Sequence, residues 1–333
     1  MNSFGRIFRV SIFGESHGGS VGVLIDGCPA GLRLSPRDLA ADLGRRRPGL
    51  PGTTARREPD IPVIQSGVLD GRTSGAPILI TFKNQDVRPG DYAACGETPR
   101  PGHADFVALR KFGGFADLRG GGHFSGRLTV GLVAAGVIGK RLIAPARVEA
   151  RLTSAGGSGN IEDAVVAAQK DGDSVGGIIE ARVKRIPAGL GEPFFDSAES
   201  VLSHLLFAIP GIKGIEFGAG FASAGMRGSE CNDVIIGRRG KTRTNHSGGI
   251  NGGLTNGNDL VFRIAVRPAA SIGKEQKMLN LRTGKAVTMA VRGRHDACFA
   301  LRLPVIVEAA TAVALADLFL LEQRIPRIVR SGS

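Results

Sequence analysis

Val21-Gly-Val-Leu-Ile-Asp26, led in by Ser20, reads as a strand, and Pro29-Ala-Gly-Leu32 is its exit turn. Ser35-Pro36 then starts a helix in the preferred order, an N-cap followed by proline at the first helical position, running to about Gly44. The same words return further on. Ser174-Val-Gly176, a strand over Ile178 to Ile186, Pro187-Ala-Gly-Leu190 and a helix over Ser197 to Phe207 repeat the order at nearly the same offset. Two ββα-type halves, roughly 1–145 and 146–333, point to an internal duplication and to one pseudo-symmetric body rather than linked independent domains. Chance recurrence of short glycine-containing words is the competing account.

Around this frame lie further strands at Phe8 to Phe13, Val63 to Ser66, Ile78 to Phe82 and Leu260 to Val266. A helix pattern runs from Ser125 to about Leu142, with Leu128, Leu132, Val133 and Val137 on one face. Leu303 to Leu321 is the most apolar segment; Glu308 and Asp317 within it fit a buried helix better than a membrane span. Residues 49–60, rich in Pro, Gly, Thr and Arg, read as a candidate lid.

The 333 residues suffice for a substantial core, and 42% apolar with 22% charged is ordinary for a globular protein. The 50 glycines and the net charge of +13 are not. A basic excess fits nucleic acid, an anionic membrane or a small anionic molecule. With no Trp, a single Tyr and only short basic runs, the small anion is the better reading. A nucleic-acid-binding module and a phosphate-handling enzyme such as a kinase or phosphatase stand as competitors. The second has no P-loop motif and no carboxylate cluster for magnesium. Cys28, Cys95, Cys231 and Cys298 are too scattered for structural zinc and read as reduced cytoplasmic thiols.

Chemistry concentrates in polar loops. Arg100-Pro-Gly-His-Ala-Asp105, a short helical run, and Arg119-Gly-Gly-Gly-His-Phe-Ser-Gly-Arg127 can serve one site. Gly120, Gly121 and Gly122 let backbone approach a ligand, and the helix start beside Ser125 is a natural anion seat. Arg100 and Arg127 can each grip a phosphate or carboxylate through two N–H groups, and His103 or His123 can exchange a proton near neutral pH. Gly14-Glu-Ser-His-Gly18 offers His17 as proton donor or phosphate contact. Arg45, Arg46 and Arg47 end the first helix either as dipole partners or as a phosphate clamp. The loop Thr244 to Asn258 can wrap a polar ligand, and Arg294, His295 and Asp296 lie in a loop before the last helix.

Phe13-Gly-Glu-Ser-His-Gly18, Arg45-Arg-Arg-Pro-Gly49, Arg56-Arg-Glu-Pro-Asp60, Arg100 to Asp105, Gly120-Gly-Gly122 with Ser125, Arg127 and Thr129, Asn245-His246 with Gly248-Gly249, and Gly293-Arg-His-Asp296 occur in this order. Together they resemble chorismate synthase from nearly end to end. The resemblance implies an α+β fold, a β-α-β sandwich with helices packed between antiparallel sheets, assembled as a homotetramer in the cytoplasm. It implies elimination of phosphate from C3 and hydrogen from C6 of 5-enolpyruvylshikimate 3-phosphate, giving chorismate. Reduced FMN is required, supplied by a separate flavin reductase or by the chain's own use of NADPH; neither nucleic acid, membrane nor metal is involved. By that resemblance His17, His103 and Asp296 are catalytic. Ser16, Arg46, Arg100, Ser125, Arg127 and Arg294 bind substrate. Flavin contacts fall at His123, Phe124, Ser125, Gly252, Arg267, Pro268, Ala269, Ala270, Ser271 and Arg294. The chain departs from the family pattern at His123-Phe124, Gly126, Leu128, Arg267 and Ala297, and Gly52 sits near the place of a common Arg.

Overall fold

The computed structural model describes residues 2–49, 51–54, 56, 58–86, 96–291 and 295–329. In the first half β1 (Ser3–Phe4), β2 (Arg9–Gly14) and β3 (Ser20–Asp26) lead into α1 (Pro36–Arg46). After β4 (Val63–Ile64) come a hairpin of β5 (Val68–Leu69) and β6 (Arg72–Thr73), then β7 (Ile78–Lys83), α2 (Asp105–Lys111) and α3 (Thr129–Leu142). The second half runs β8 (Arg147–Ala155), α4 (Ile161–Lys170), β9 (Gly177–Lys184), α5 (Ala198–Leu206), β10 (Ile212–Phe217) and the short α6 (Gly228–Cys231). It closes with the hairpin β11 (Ile250–Asn251) and β12 (Leu254–Thr255), then β13 (Leu260–Val266), the hairpin β14 (Gln276–Leu279) and β15 (Ala286–Met289), and α7 (Pro304–Leu321).

Two antiparallel sheets result, ordered β1-β2-β3-β7-β4 and β10-β13-β9-β8. α3 packs on the first sheet, α7 on the second, and the two helices pack on each other. This is the expected sandwich. Helices in the middle layer must be apolar all round, and Val305 to Leu320 of α7 are all buried. By length and composition α7 can cross a bilayer, but 89% of it is buried inside the fold, so it is the core helix. Small residues set the helix spacing: a Cβ on Gly136 would lie 2.2 Å from Ala309 Cβ.

The acidic residues of α7 are paired. Asp317 accepts the backbone N–H groups of Arg6, Ile7 and Phe8. Glu308 accepts both arms of Arg45 and the Lys140 ammonium.

The two halves share detail beyond their strands. Thr73 on β6 donates its hydroxyl to Pro29 O and accepts Leu32 N–H. Thr255 on β12 does the same with Pro187 O and Leu190 N–H. Each threonine follows a two-residue turn with both φ positive, Asp70-Gly71 in one half and Gly252-Gly253 in the other. The repeated Pro-Ala-Gly-Leu words are therefore docking sites for equivalent hairpins. Cys28, Cys231 and Cys298 carry free thiols, and burial pushes the Cys28 thiol up to about 12.

Candidate active site

The connections leaving β7 and β13 toward the two central helices line a common cavity of about 930 Å³. That volume lies at the upper end for small-molecule sites. The β2–β3 turn packs behind Gly120 of the wall, and Ser16 and His17 are not among the residues that line the cavity.

That turn is positioned by its neighbours. Arg56 donates to Ser16 Oγ at 2.7 Å and Ser16 O at 2.9 Å, and also pairs with Glu58. Asn84 donates to Glu15 O and Gly18 O while its Oδ1 accepts Arg127 Nε at 3.0 Å. Ser16 N–H donates to Gly122 O. Gly120 has φ +58, and a Cβ there would stand 2.4 Å from His17 Cδ2. The glycine triplet thus lets the chain pass against the His17 ring as well as opening room beside it. Burial, then the charges of Arg56 and Arg119, lower the His17 pKa and favour neutral imidazole.

His103 is held at both nitrogens. Its Nδ1 lies 3.0 Å from Pro101 O, which can only accept, so Nδ1 carries a proton. In neutral imidazole Nε2 is then an acceptor for the Ser271 hydroxyl at 2.8 Å. Burial and the Arg100 charge lower its pKa. Arg100 is fixed by a two-pronged bond to Asp105, at 2.8 Å on each prong.

The three consecutive arginines at the end of α1 diverge. Arg45 goes to Glu308, Arg47 donates to Pro59 O, and only Arg46 enters the cavity. Arg46 Nη2 bonds Asp60 Oδ2 at 2.7 Å, and Arg127 Nη1 bonds Asp60 Oδ1. Burial pushes the Asp60 carboxyl up, but both arginine charges outweigh it and hold it below the carboxylate range. Burial lowers Arg46.

Asp296 accepts Thr54 N–H and Arg302 Nη2, each at 2.8 Å, and lines the cavity. His295 donates to Val291 O, while Arg294 lies outside the described residues. Ser125 lines the cavity and accepts Arg127 N–H; one 3-10 turn, Gly126–Leu128, separates it from α3. His123, anchored on Gly14 O, and Phe124, beside Phe112, also line it.

Arg267, Ala269, Ala270 and Ser271 contribute to the wall; Pro268 between them does not, and Gly252 sits on the β11–β12 turn away from it. The candidate lid is tied to the second half, with Gly52 O accepting Ala297 N–H and Thr54 N–H held by Asp296. A Cβ on Gly52 would meet Val165 Cγ1 at 2.2 Å, so no Arg fits that place without displacing α4.

Sequence reading did not single out Asn84, Arg302 or the wall segment 208–213. Arg302 had one signal available: it precedes α7 by two residues as Arg127 precedes α3.

The chorismate synthase family profile matches residues 8–320. The chain belongs to the chorismate synthase family. A chorismate synthase of Chitinophaga pinensis is 58% identical over 99% of this chain and 100% of its own length. One from Aeropyrum pernix is 44% identical over 97% and 93%. A crystal structure of chorismate synthase superimposes with TM-score 0.74 at 23% identity, covering 96% of this chain and 93% of that one, and shows the shared fold. The chain is accordingly an enzyme, a lyase that forms chorismate in the shikimate pathway.

Proposed function

We propose that the enzyme converts 5-enolpyruvylshikimate 3-phosphate to chorismate and phosphate by anti-1,4-elimination, with reduced FMN bound in the same cavity. The observation that carries this reading is the meeting of Arg46, Arg100 and Arg127 with His103 around one cavity, with His17 packed behind Gly120 of its wall. A dianionic phosphate and two carboxylates need several guanidinium forks, and Arg offers the planar geometry that Lys lacks.

The residues present fit a flavin. The cavity is roomy, and its wall mixes apolar surface with Arg267 and Ser271. His123, Phe124, Ser125 and the segment from Arg267 to Ser271 would hold it, and Arg294 is expected to join them. When bound, reduced FMN supplies an electron to the substrate and recovers it, so the reaction has no net redox change.

The chain's own groups handle the protons and charges. The C3–O bond breaks and phosphate leaves with its electron pair; His17 gives it a proton. The incoming phosphate charge opposes that of Arg56 and Arg119, so His17 takes up this proton together with substrate. His103, oriented by Pro101 O and Ser271, holds a proton beside the reacting anions. Asp296 works on the C6 hydrogen, held in aim by Thr54 N–H and Arg302. Assembly as a homotetramer belongs to the same reading.

Anaerobic phosphate release from the substrate tests the reading. Release should require reduced FMN over many turnovers, and Asp296→Asn should slow it by about 10²–10⁴-fold while flavin and substrate still bind. Full release with oxidised FMN alone, or wild-type turnover in the Asn variant, would overturn it.

A further inference from the structure

Asp60 is the only carboxylate bonded to two of the cavity's arginines among the described residues. Its side chain is 0% exposed although it borders the cavity, and both its oxygens are taken up by arginines. Its backbone has φ +49, a left-handed conformation that Asp tolerates better than most residues and that turns its side chain inward. One oxygen goes to Arg46 and the other to Arg127. Each guanidinium is braced once more, Arg46 by Thr129 Oγ1 at 3.4 Å and Arg127 by Asn84 Oδ1 at 3.0 Å.

Two cations against one buried carboxylate leave a net positive charge. Arg46 Nε and Arg127 Nη2 remain buried and without partners among the described residues, although both side chains line the cavity. Such donors are costly to leave unpaired. They are arranged for an acceptor that arrives from outside.

We propose that Asp60 is the positioning residue of the substrate site, setting the separation and tilt of Arg46 and Arg127 so that their remaining N–H groups converge on one phosphate or carboxylate. This rests on the reading that both arginines bind the substrate. A mere counter-charge would act in the opposite direction: it would weaken the positive field, and its removal would tighten anion binding. A positioning group, once neutralised, leaves one guanidinium facing an amide N–H₂, and the pair loses its geometry.

The test is the affinity of the intact protein for 5-enolpyruvylshikimate 3-phosphate by titration, beside its affinity for reduced FMN. Asp60→Asn should weaken substrate binding at least tenfold with flavin affinity unchanged, a split that general loss of folded protein does not produce. Asp60→Glu keeps the charge but moves the carboxylate by one methylene, and it should also weaken substrate binding. This second variant decides the matter if the Asn protein does not fold.

Adding Asp60→Asn to a protein already carrying Arg46→Ala and Arg127→Ala should cost little more, because the three residues act as one unit. Wild-type or tighter affinity in both Asp60 variants overturns the proposal, as does a full additional loss in the arginine-less background. If Arg46→Ala and Arg127→Ala themselves leave affinity untouched, the substrate reading falls and this proposal with it. Weakened binding in those two with normal binding in both Asp60 variants removes the Asp60 role alone.

Discussion

The two halves solve the same connection differently. Between β2 and β3 the chain makes a tight turn, Glu15 to Gly19, that holds Ser16 and His17 against Gly120 of the cavity wall. Between β8 and β9 it builds α4 instead, whose Val165 and Ala168 pack inward. The hairpins that dock beside the Pro-Ala-Gly-Leu turns, by contrast, keep the same hydrogen bonds in both halves. The hairpin docking recurs; the turn that carries Ser16 and His17 does not. Both halves still send a long connection toward the central helices, and the cavity lies where these meet. A shared site between two unequal halves follows from that.

The largest effect should come from glycines that look alike but face different halves. Gly120 and Gly157 both have positive φ, +58 and +80. A methyl group on Gly120 would stand 2.5 Å from His17 Nε2 and 2.9 Å from Ser16 Oγ, whereas one on Gly157 meets nothing within 4 Å. Gly120→Ala must push His17 aside. Turnover should fall on the scale of a lost acid–base group, about 10²–10⁴-fold. Gly157→Ala should cost only its strained backbone, about 1–2 kcal/mol of stability, with turnover unchanged. Equal turnover in the two variants would mean that His17 contributes nothing at its present position.

The next effect tests the likeness. Thr73 and Thr255 are each buried, at 3% and 2% exposure, and each hydroxyl bridges a proline carbonyl and a leucine amide. Valine keeps the shape and removes the bridge, leaving two buried backbone groups unpaired. Each Thr→Val change should cost about 1–3 kcal/mol in urea unfolding, similar in the two halves, with KM unmoved. A cost confined to one half would show that the two hairpins carry different loads despite matching bonds.

How much of this was legible beforehand depends on whether a residue's meaning is local. Leu260–Val266 alternates buried and half-buried positions without interruption, so its limits could be read from the chain. The start of α1 at Ser35-Pro36 was equally local, with Ser35 bonded to Asp38 at the helix start. β8 was not marked, because Arg147, Glu149 and Arg151 interrupt its apolar positions and only pairing with β9 gives it a face.

The same holds in the site. Arg100, Arg127 and His103 stand out because charged residues in glycine-rich loops need a reason. The expected division of labour within Arg45-Arg46-Arg47 was not readable. Successive residues on a helix end point about 100° apart, and only the surroundings decide that Arg45 meets Glu308 while Arg46 meets Asp60. Asn84 carries no pattern in sequence and Arg302 only its place two residues before α7; each matters through what it faces.

The smallest effect probes the surface at equivalent strand ends. Arg9 on β2 pairs with Asp26 on β3 at 2.6 Å, and Lys184 on β9 pairs with Glu149 on β8 at 2.8 Å. Asp26 and Lys184 end the corresponding strands, so the sign of the charge is reversed between the halves. All four side chains are well exposed, and double-mutant cycles should return coupling of about 0–1 kcal/mol in each pair, shrinking with added salt. Single changes should not be symmetric. Asp26 also accepts the Gly27 N–H at 2.8 Å, and a Cβ on Gly27 would lie only 1.8 Å from Ile7 O, so this carboxylate also braces a turn that cannot relax. Asp26→Ala should therefore cost more than Arg9→Ala, while Lys184→Ala and Glu149→Ala should differ little. The cycle removes that difference, because the turn contribution appears in both arms and cancels. A coupling well above 1 kcal/mol that survives high salt in one half would show that its pair is shielded from solvent, and that the surfaces of the two halves diverge as far as their loops do.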